Sequence, residues 1–309
     1  MERIKPAALR NGQEIRIVSP SSSADMVNLS KGINRLRALG YKISLGAATK
    51  AAYRNQEFTV SAEERAKELM DAFTDPGVSA VYCSTGGHAA IHVLDLLDYD
   101  QIRDHPKIFV GYSDITALHL AINKKSNMIT FHGPMLTSDL DIVYGPEFTH
   151  FMGMLEGKTS TLNFRGEDRL MRAMGKGKVE GISMGTNLTV ASSLFSTEFM
   201  PDPEGRIFFL EDTGVTYREI DRIFFNIEHT ILRSVAGYVF GQFRGVSGSN
   251  DPQVFISNMI RDFAFRIKKL SVLEAPFGHG IEQMLIPLNA RVSISSEEPN
   301  MELTESPVD

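Results

Sequence analysis

Short apolar runs and amphipathic helical segments alternate through the first 140 residues of this 309-residue chain. EIRIVSPSS, VSAVYCSTGG and KIFVGYSD are rich in β-branched and apolar residues and end in polar or glycine-containing turns, as strands do. The segments between them carry apolar residues at helical spacing, and SAEERAKELMDAFTDPG begins with a capping box at Ser61 and Glu64. This alternation predicts a parallel, flavodoxin-like sheet in an α/β amino-terminal domain, residues 1–140.

The pattern changes after residue 140. Residues 141–178 are rich in Gly, Pro and charge and are interpreted as a linker. Residues 179–309 combine short strand-like runs such as RIFFLED and VAGYVFGQF with two helical stretches. We expect a smaller carboxy-terminal α+β domain there, rich in short strands.

Composition narrows the class of partner. A net charge of −6 gives no electrostatic reason to expect a nucleic-acid partner. The chain has no apolar run of about 18 residues that could span a bilayer, and its charged start lacks the apolar core of a secretory signal. The single cysteine, Cys83, excludes an internal disulfide and structural zinc. We therefore expect a cytoplasmic protein without a membrane partner.

Three loops follow predicted parallel strands: SPSSS at 19–23, STGGH at 84–88 and GYSD at 111–114. Because the carboxyl ends of parallel strands share one edge of a sheet, we expect these loops to converge on a site. Ser113 in the last loop has two interpretations. It can cap the following helix, or it can be the nucleophile of a tight strand-to-helix elbow, although Ile115 replaces the second glycine of the usual motif.

A serine nucleophile requires a base, and His279 is the strongest of eight histidines because Gly278 and Gly280 flank it in an irregular loop. A turn histidine bonded to backbone is the alternative. The histidines at 92, 105, 119, 150 and 229 fit structural or surface roles. His88 with His92 lacks the third ligand that a metal site needs, so we expect no metal.

The base in turn requires an orienting acid. Glu211 and Asp212 end the apolar run RIFFLED, where either can point into a cleft or cap the helix that follows; Asp114 is a competing orienter. Gly86 and Gly87 let backbone amides approach an oxyanion, or form a plain tight turn. Cys83 is a rival nucleophile, but an apolar strand favours a core role for it.

Together these pieces resemble the LD-carboxypeptidase family of serine peptidases, including its branch of microcin C immunity peptidases. The resemblance covers nearly the whole chain. It rests, in order, on IRIVSPSS, STGGH...LLDYD, PKIFVGYSDITALHLAI, TFHGPML, GTNLT, FFLEDTG...REIDR, VFGQF and PFGHG...IPLNARVSI.

The resemblance implies a Ser-His-Glu triad in a homodimeric cytoplasmic enzyme without a cofactor. Its residues here are Ser113 as nucleophile, Glu211 as acid, His279 as base, Asp114, Gly86 and Gly87 as oxyanion amides, and Asn187 as a substrate-binding residue that lines the cleft. We also expect His88, beside the glycine pair, to bind substrate. The implied substrate is a short peptide or peptidyl nucleotide: a murein LD-peptide or a peptidyl or aminoacyl adenylate.

Several positions depart from the family pattern, among them HAAIH after the glycine pair, Gly185-Thr186-Asn187, and Gln283 and Asn289 near the end. These departures concern the substrate pocket and keep a catalytically inactive peptide- or nucleotide-binding protein as an alternative. A nucleotide-dependent α/β enzyme is a weaker alternative because STGGHAAIH is not a dinucleotide fingerprint.

Overall fold

The computed structural model of the protein describes residues 2–54, 60–137, 145–159, 171–248, 251–280, 283–297 and 300–309. The strands are β1 (Glu14–Val18), β2 (Lys42–Leu45), β3 (Val78–Cys83), β4 (Ile108–Gly111), β5 (Thr130–His132), β6 (Arg172–Met174), β7 (Lys178–Asn187), β8 (Arg206–Thr213), β9 (Gly237–Arg244), β10 (Leu270–Leu273), β11 (Ile286–Leu288), β12 (Arg291–Ser295) and β13 (Asn300–Leu303). The α-helices are α1 (Met26–Ala38), α2 (Ala47–Arg54), α3 (Ala62–Thr74), α4 (Tyr99–Asp104), α5 (Thr116–Lys125), α6 (Pro146–Leu155), α7 (Leu188–Ser192), α8 (Tyr217–His229) and α9 (Pro252–Ile267). Short 3-10 helices span Ala90–Leu96, Ser113–Ile115 and Ile231–Ser234.

The amino-terminal sheet has the order β11-β5-β4-β3-β1-β2. Strands β1 to β5 run parallel, which confirms the predicted α/β sheet. Helix α3 begins as its sequence predicts: Ser61 and Glu64 form a reciprocal capping box. The apolar spacing of AAIHVLDLLDYD, residues 89–100, predicts one helix, but the structure has a 3-10 helix followed by α4, because Asp98 accepts two backbone bonds and starts a new helix.

The last strand of this sheet comes from the far end of the chain. Strand β11 pairs antiparallel with β5, with Pro287 opposite Phe131. Pairing of this kind satisfies the edge of β5 and ties the two halves of the chain together.

The second sheet has the order β13-β12-β7-β8-β9-β10-β6. Its central strands β7 to β10 run parallel, whereas β12, β13 and β6 are antiparallel to their neighbours. The predicted strand-rich carboxy-terminal part is therefore confirmed, with a parallel centre. Helix α8, which starts with a capping box at Thr216 and Glu219, packs beside α9.

Two apolar cores each contain side chains from both halves of the chain. One contains Phe109 and Phe240, and the other contains Phe131 and Phe209. Burial on this scale is the main force that holds the halves together. The segment 141–178, interpreted as a linker, includes α6 and strand β6, which pairs with β10. The proposed domain boundaries stay a prediction. No helix among the described residues is long and apolar enough to cross a membrane.

Candidate active site

Ser113 lies on a sharp turn between β4 and α5. Its φ of 61° is in the left-handed region, where a residue other than glycine is strained. The turn is tight enough that a Cβ on Gly111 would lie 2.7 Å from Ile115 Cγ2. Within the described chain, no side-chain capping bond starts the 3-10 turn or α5, so Ser113 does not act as the cap that the sequence allowed. Strained backbone of this kind is the geometry of a nucleophile elbow.

The Gly86-Gly87 turn lies directly against this elbow. A Cβ on Gly86 would be 3.0 Å from Ser113 Cβ and 3.4 Å from the amide nitrogen of Asp114. Gly87 has a φ of 138°, which favours glycine, and a Cβ there would collide with Ser22. The backbone of both loops therefore approaches the Ser113 hydroxyl closely, as an oxyanion site requires.

The Asp114 carboxylate joins the three loops that were predicted to converge. Its Oδ2 accepts hydrogen bonds from Ser21 Oγ at 2.5 Å and from the Ala90 amide at 2.8 Å. Arg65 of α3 donates to the carbonyls of Pro20 and Ala89 at 2.6 and 2.9 Å. The convergence is confirmed. Asp114 thus orients loops and not the base, which removes it as a competing orienter.

Glu211 and His279 form a direct pair. His279 Nδ1 lies 2.7 Å from Glu211 Oε2, and the glutamate side chain is fully buried at the end of β8. Gly278 makes this approach possible, since its φ is 108° and a Cβ there would lie 2.9 Å from Glu211 Oε2. His279 is therefore held by a carboxylate and is not a turn histidine bonded to backbone.

The electrostatics of His279 suit a base. Burial lowers the pKa of the ring, but the hydrogen bond and charge of Glu211 and the charge of Asp212 outweigh it, so the His279 pKa lies above its ordinary value. In the neutral ring, Nδ1 donates to Glu211 and Nε2 is left to accept a proton.

Asp212 has a different task from Glu211. Its carboxylate accepts bonds from the Asn187 side-chain amide at 3.1 Å and from the Thr189 amide and hydroxyl at 2.9 and 2.6 Å. Burial raises the Asp212 pKa. Neither acid caps the helix after β8, because Thr216 occupies that cap. Asp212 instead steadies the start of α7.

Asn187 and His88 were predicted to bind substrate, and they lie in different surroundings. Asn187 is 4% exposed; its Nδ2 donates to Asp212, and its Oδ1 accepts from the Val190 amide, which caps α7. His88 is exposed beside Gly87 and lies before the 3-10 helix that contains His92. Across the described ranges, no group of three or more His, Cys, Asp or Glu residues is arranged to hold a metal ion.

Cys83 is fully buried at the end of β3, and burial raises the pKa of its thiol well above the ordinary value. A thiol that is buried and protonated is not a nucleophile, so the predicted core role fits.

Tyr112 and His132 are residues of the site that sequence reasoning missed. The Tyr112 ring centroid lies 4.9 Å from that of His279 and 5.8 Å from that of His132. His132 is buried and bonded through Nδ1 to Thr186 Oγ1 at 2.6 Å, which links β5 to β7 behind the pair. His132 is the last residue of β5, and the GYSD turn follows the neighbouring strand β4. Because the ends of parallel strands share one sheet edge, the sequence could have placed His132 near the site.

The structure thus brings Glu211 and His279 together and places Tyr112, the neighbour of Ser113, against the imidazole. Among the described residues, no hydrogen bond joins the Ser113 hydroxyl to His279. Hydrogen bonds between catalytic groups are often long before substrate binds.

Comparison with known proteins identifies two matching domain families. Residues 15–133 match the model of the LD-carboxypeptidase N-terminal domain, and residues 180–294 match the model of the LD-carboxypeptidase C-terminal domain. The chain is 30% identical to a probable murein peptide carboxypeptidase of Bacillus subtilis, over 95% of this chain and 92% of that one. It is 26% identical to the microcin C7 self-immunity protein MccF of Escherichia coli, over 97% and 95% of the two chains.

A solved structure of MccF in complex with aspartyl sulfamoyl adenosine superposes with a TM-score of 0.85. It covers 99% of this chain and 100% of that one at 23% sequence identity, so the match shows a common two-domain fold.

Proposed function

The chain belongs to the LD-carboxypeptidase family of serine peptidases, and we propose that it hydrolyses an amide bond near the carboxyl terminus of a short peptide. The proposed catalytic residues are the triad Ser113, His279 and Glu211. One observation carries the proposal: a fully buried Glu211 lies 2.7 Å from His279 Nδ1. A carboxylate in that place selects the tautomer whose Nε2 is a base.

In the proposed mechanism, His279 Nε2 accepts the hydroxyl proton of Ser113 as Oγ forms a bond to the scissile carbonyl carbon. The resulting oxyanion is stabilised by the amide of Asp114 and by the Gly86-Gly87 turn. The C–N bond then breaks, and His279 returns the proton to the leaving amine. Water, deprotonated by the same imidazole, hydrolyses the acyl-enzyme and regenerates Ser113.

Two substrate classes are candidates: a murein peptide with an LD bond, and a peptidyl or aminoacyl adenylate. In the first class, and in N-acyl forms of the second such as an aminoacyl sulfamoyl adenosine, the bond that breaks is C–N. In an acyl phosphate the bond that breaks is C–O, the phosphate leaves as an anion, and His279 releases its proton to water. The first is favoured by similarity to a murein peptide carboxypeptidase and the second by similarity to a protein solved with aspartyl sulfamoyl adenosine. An adenylate substrate has an adenine ring that an aromatic side chain can stack on. Because the chain has no tryptophan, a Phe or Tyr ring would fill that role. We place Asn187 and His88 in the substrate pocket, and the family resemblance carries the expectation of a cofactor-free cytoplasmic homodimer.

The test combines a fluorophosphonate probe with hydrolysis of LD-linked tetrapeptides and aminoacyl sulfamoyl adenosines. We expect labelling of the wild type and not of Ser113→Ala, with at least about 10³-fold slower hydrolysis by that variant. Ser30→Ala is the matched control, because this exposed serine bonds only within α1, to the Met26 carbonyl. Measurable peptide or nucleotide binding without labelling or turnover would instead establish the catalytically inactive binding protein.

A further inference from the structure

A cavity of about 520 Å³ lies between α9 and the ends of β9 and β10. Its apolar wall consists of Phe240, Phe243, Ile256, Ile260 and Leu273. The volume suits a small molecule, and the apolar wall suits a ligand that carries a ring or an aliphatic chain.

This cavity is separate from the candidate active site. None of the three residues Ser113, Glu211 and His279 lines it. Phe240 belongs to the core on the α8 and α9 side of the sheet, where it packs against Phe263 at 5.9 Å between ring centroids. The Glu211-His279 pair contacts the ring of Tyr112, which does not line the cavity. A ligand in the cavity would therefore not occupy the space over Ser113.

The rim is strongly cationic. Arg172, Arg244 and Arg261 line it, against one carboxylate, Glu274, which lies 3.7 Å from Arg172. Within the described ranges, the Arg244 side chain bonds to Gln242 Oε1 at 3.3 Å, and Arg261 bonds to neighbours in its own helix. Neither forms a salt bridge with a carboxylate of the described chain. Unpaired guanidinium groups at a cavity attract anions, and here they lie in a chain of net charge −6.

A second observation comes from Gln242, which lines the cavity and also packs under the His279 loop. A Cβ on Gly280 would lie 1.4 Å from Gln242 Oε1. The Gln242 Nε2 group is buried and has no hydrogen-bond partner in the described residues. The Gln242 side chain therefore connects the wall of the cavity to the loop that carries His279.

We propose that this cavity is a second binding site, for a small molecule that combines an oxyanion, a carboxylate or a phosphate, with an apolar group. The guanidinium groups of Arg244 and Arg261 bind the oxyanion, and the apolar group lies against Phe240 and Ile256. The site adjoins the catalytic loop through Gln242 without sharing the reacting groups.

The test is isothermal titration of the full chain with phenyl phosphate and with N-acetylphenylalanine, using N-acetylphenylalanine amide as the uncharged comparison. We expect saturable binding of at least one charged probe, weakened at least about tenfold when Arg244→Gln and Arg261→Gln are combined. Both side chains are exposed, so this variant should fold. The preferred probe distinguishes a phosphate from a carboxylate ligand.

Two control variants locate the binding. Arg218→Gln with Arg266→Gln removes the same charge from α8 and α9 outside the cavity, and it should bind as the wild type does. His279→Ala should also retain binding. The proposal is overturned if neither charged probe binds, if the amide binds equally well, if both double variants weaken binding alike, or if His279→Ala abolishes it.

Discussion

Ser113 and His279 lie on loops that the protein holds by different means. Around Ser113, buried charged side chains fix the backbone: Asp114 accepts bonds from two neighbouring loops, and Glu68 accepts from the Ser19 amide at 2.7 Å. Around His279, backbone pairing dominates. The Ala275 amide donates to the Phe240 carbonyl, and the Gln242 amide donates to the Phe277 carbonyl, each at 2.9 Å.

The two loops should differ in how well they tolerate the loss of one side chain. The Ser113 loop has several redundant polar contacts, so loss of one should be partly tolerated. Among the described residues, the His279 ring is hydrogen-bonded to one side chain, that of Glu211, and its loop is otherwise held through backbone atoms. The two sides should therefore respond unequally to single substitutions.

The largest effect is expected at Glu211. Glu211→Gln should lower kcat/KM by about 10³- to 10⁴-fold, because the amide does not hold the reactive tautomer. Glu228→Gln, which breaks an ion pair with Arg266 elsewhere, is the control and should change little.

The pH profile tests whether this loss is electrostatic. The neutral ring is the active base, so activity falls as pH drops through the His279 pKa, which Glu211 raises. Without that charge, burial lowers the His279 pKa and only the smaller effect of the Asp212 charge opposes it, so the acidic limb of kcat/KM should move to lower pH. An unmoved limb would argue against Glu211 as the orienting acid.

A smaller effect is expected on the Ser113 side from Gly86→Ala. The added methyl group would lie 3.0 Å from Ser113 Cβ and displace the hydroxyl, which should reduce kcat by about 10- to 100-fold. Gly153→Ala is the matched change, since its Cβ would meet Thr159 at an ordinary 3.6 Å. Equal kinetics for the two variants would mean that Gly86 does not bound the reacting space.

The smallest effect is expected from Ser21→Ala. This change removes the 2.5 Å bond to Asp114 but leaves the bond from the Ala90 amide. We expect a loss of about 1–2 kcal/mol in the free energy of unfolding and a several-fold lower kcat at unchanged KM. Ser23→Ala in the same loop is the control. A stability loss with wild-type kcat would limit the Asp114 network to a structural role.

The features that the sequence predicted correctly depend on residues close together in the chain. The alternation of strands and helices predicted the parallel sheet, and the capping box of Ser61 and Glu64 predicted the start of α3. The break between the 3-10 helix and α4 was missed because the apolar spacing continues up to Asp98, although Asp is a preferred N-cap residue. The run MLIPLNARVSI is strand-like in sequence, but the pairing of β11 (Ile286–Leu288) with β5 depends on the assembled sheet edge, which no local pattern encodes.

By itself, the sequence determined which loops carry reactive residues, because strand order, turn residues and caps are encoded within a few positions of one another. Tertiary structure decided between Glu211 and Asp212, and whether His279 faces a carboxylate or a carbonyl. Glu211 and His279 are 68 positions apart in the chain. Alternation along β8 directs the two adjacent acids, Glu211 and Asp212, to different partners. Which of the two acids meets the His279 ring depends on the register in which β8 pairs with β9, and this register shifts between Leu210 and Asp212.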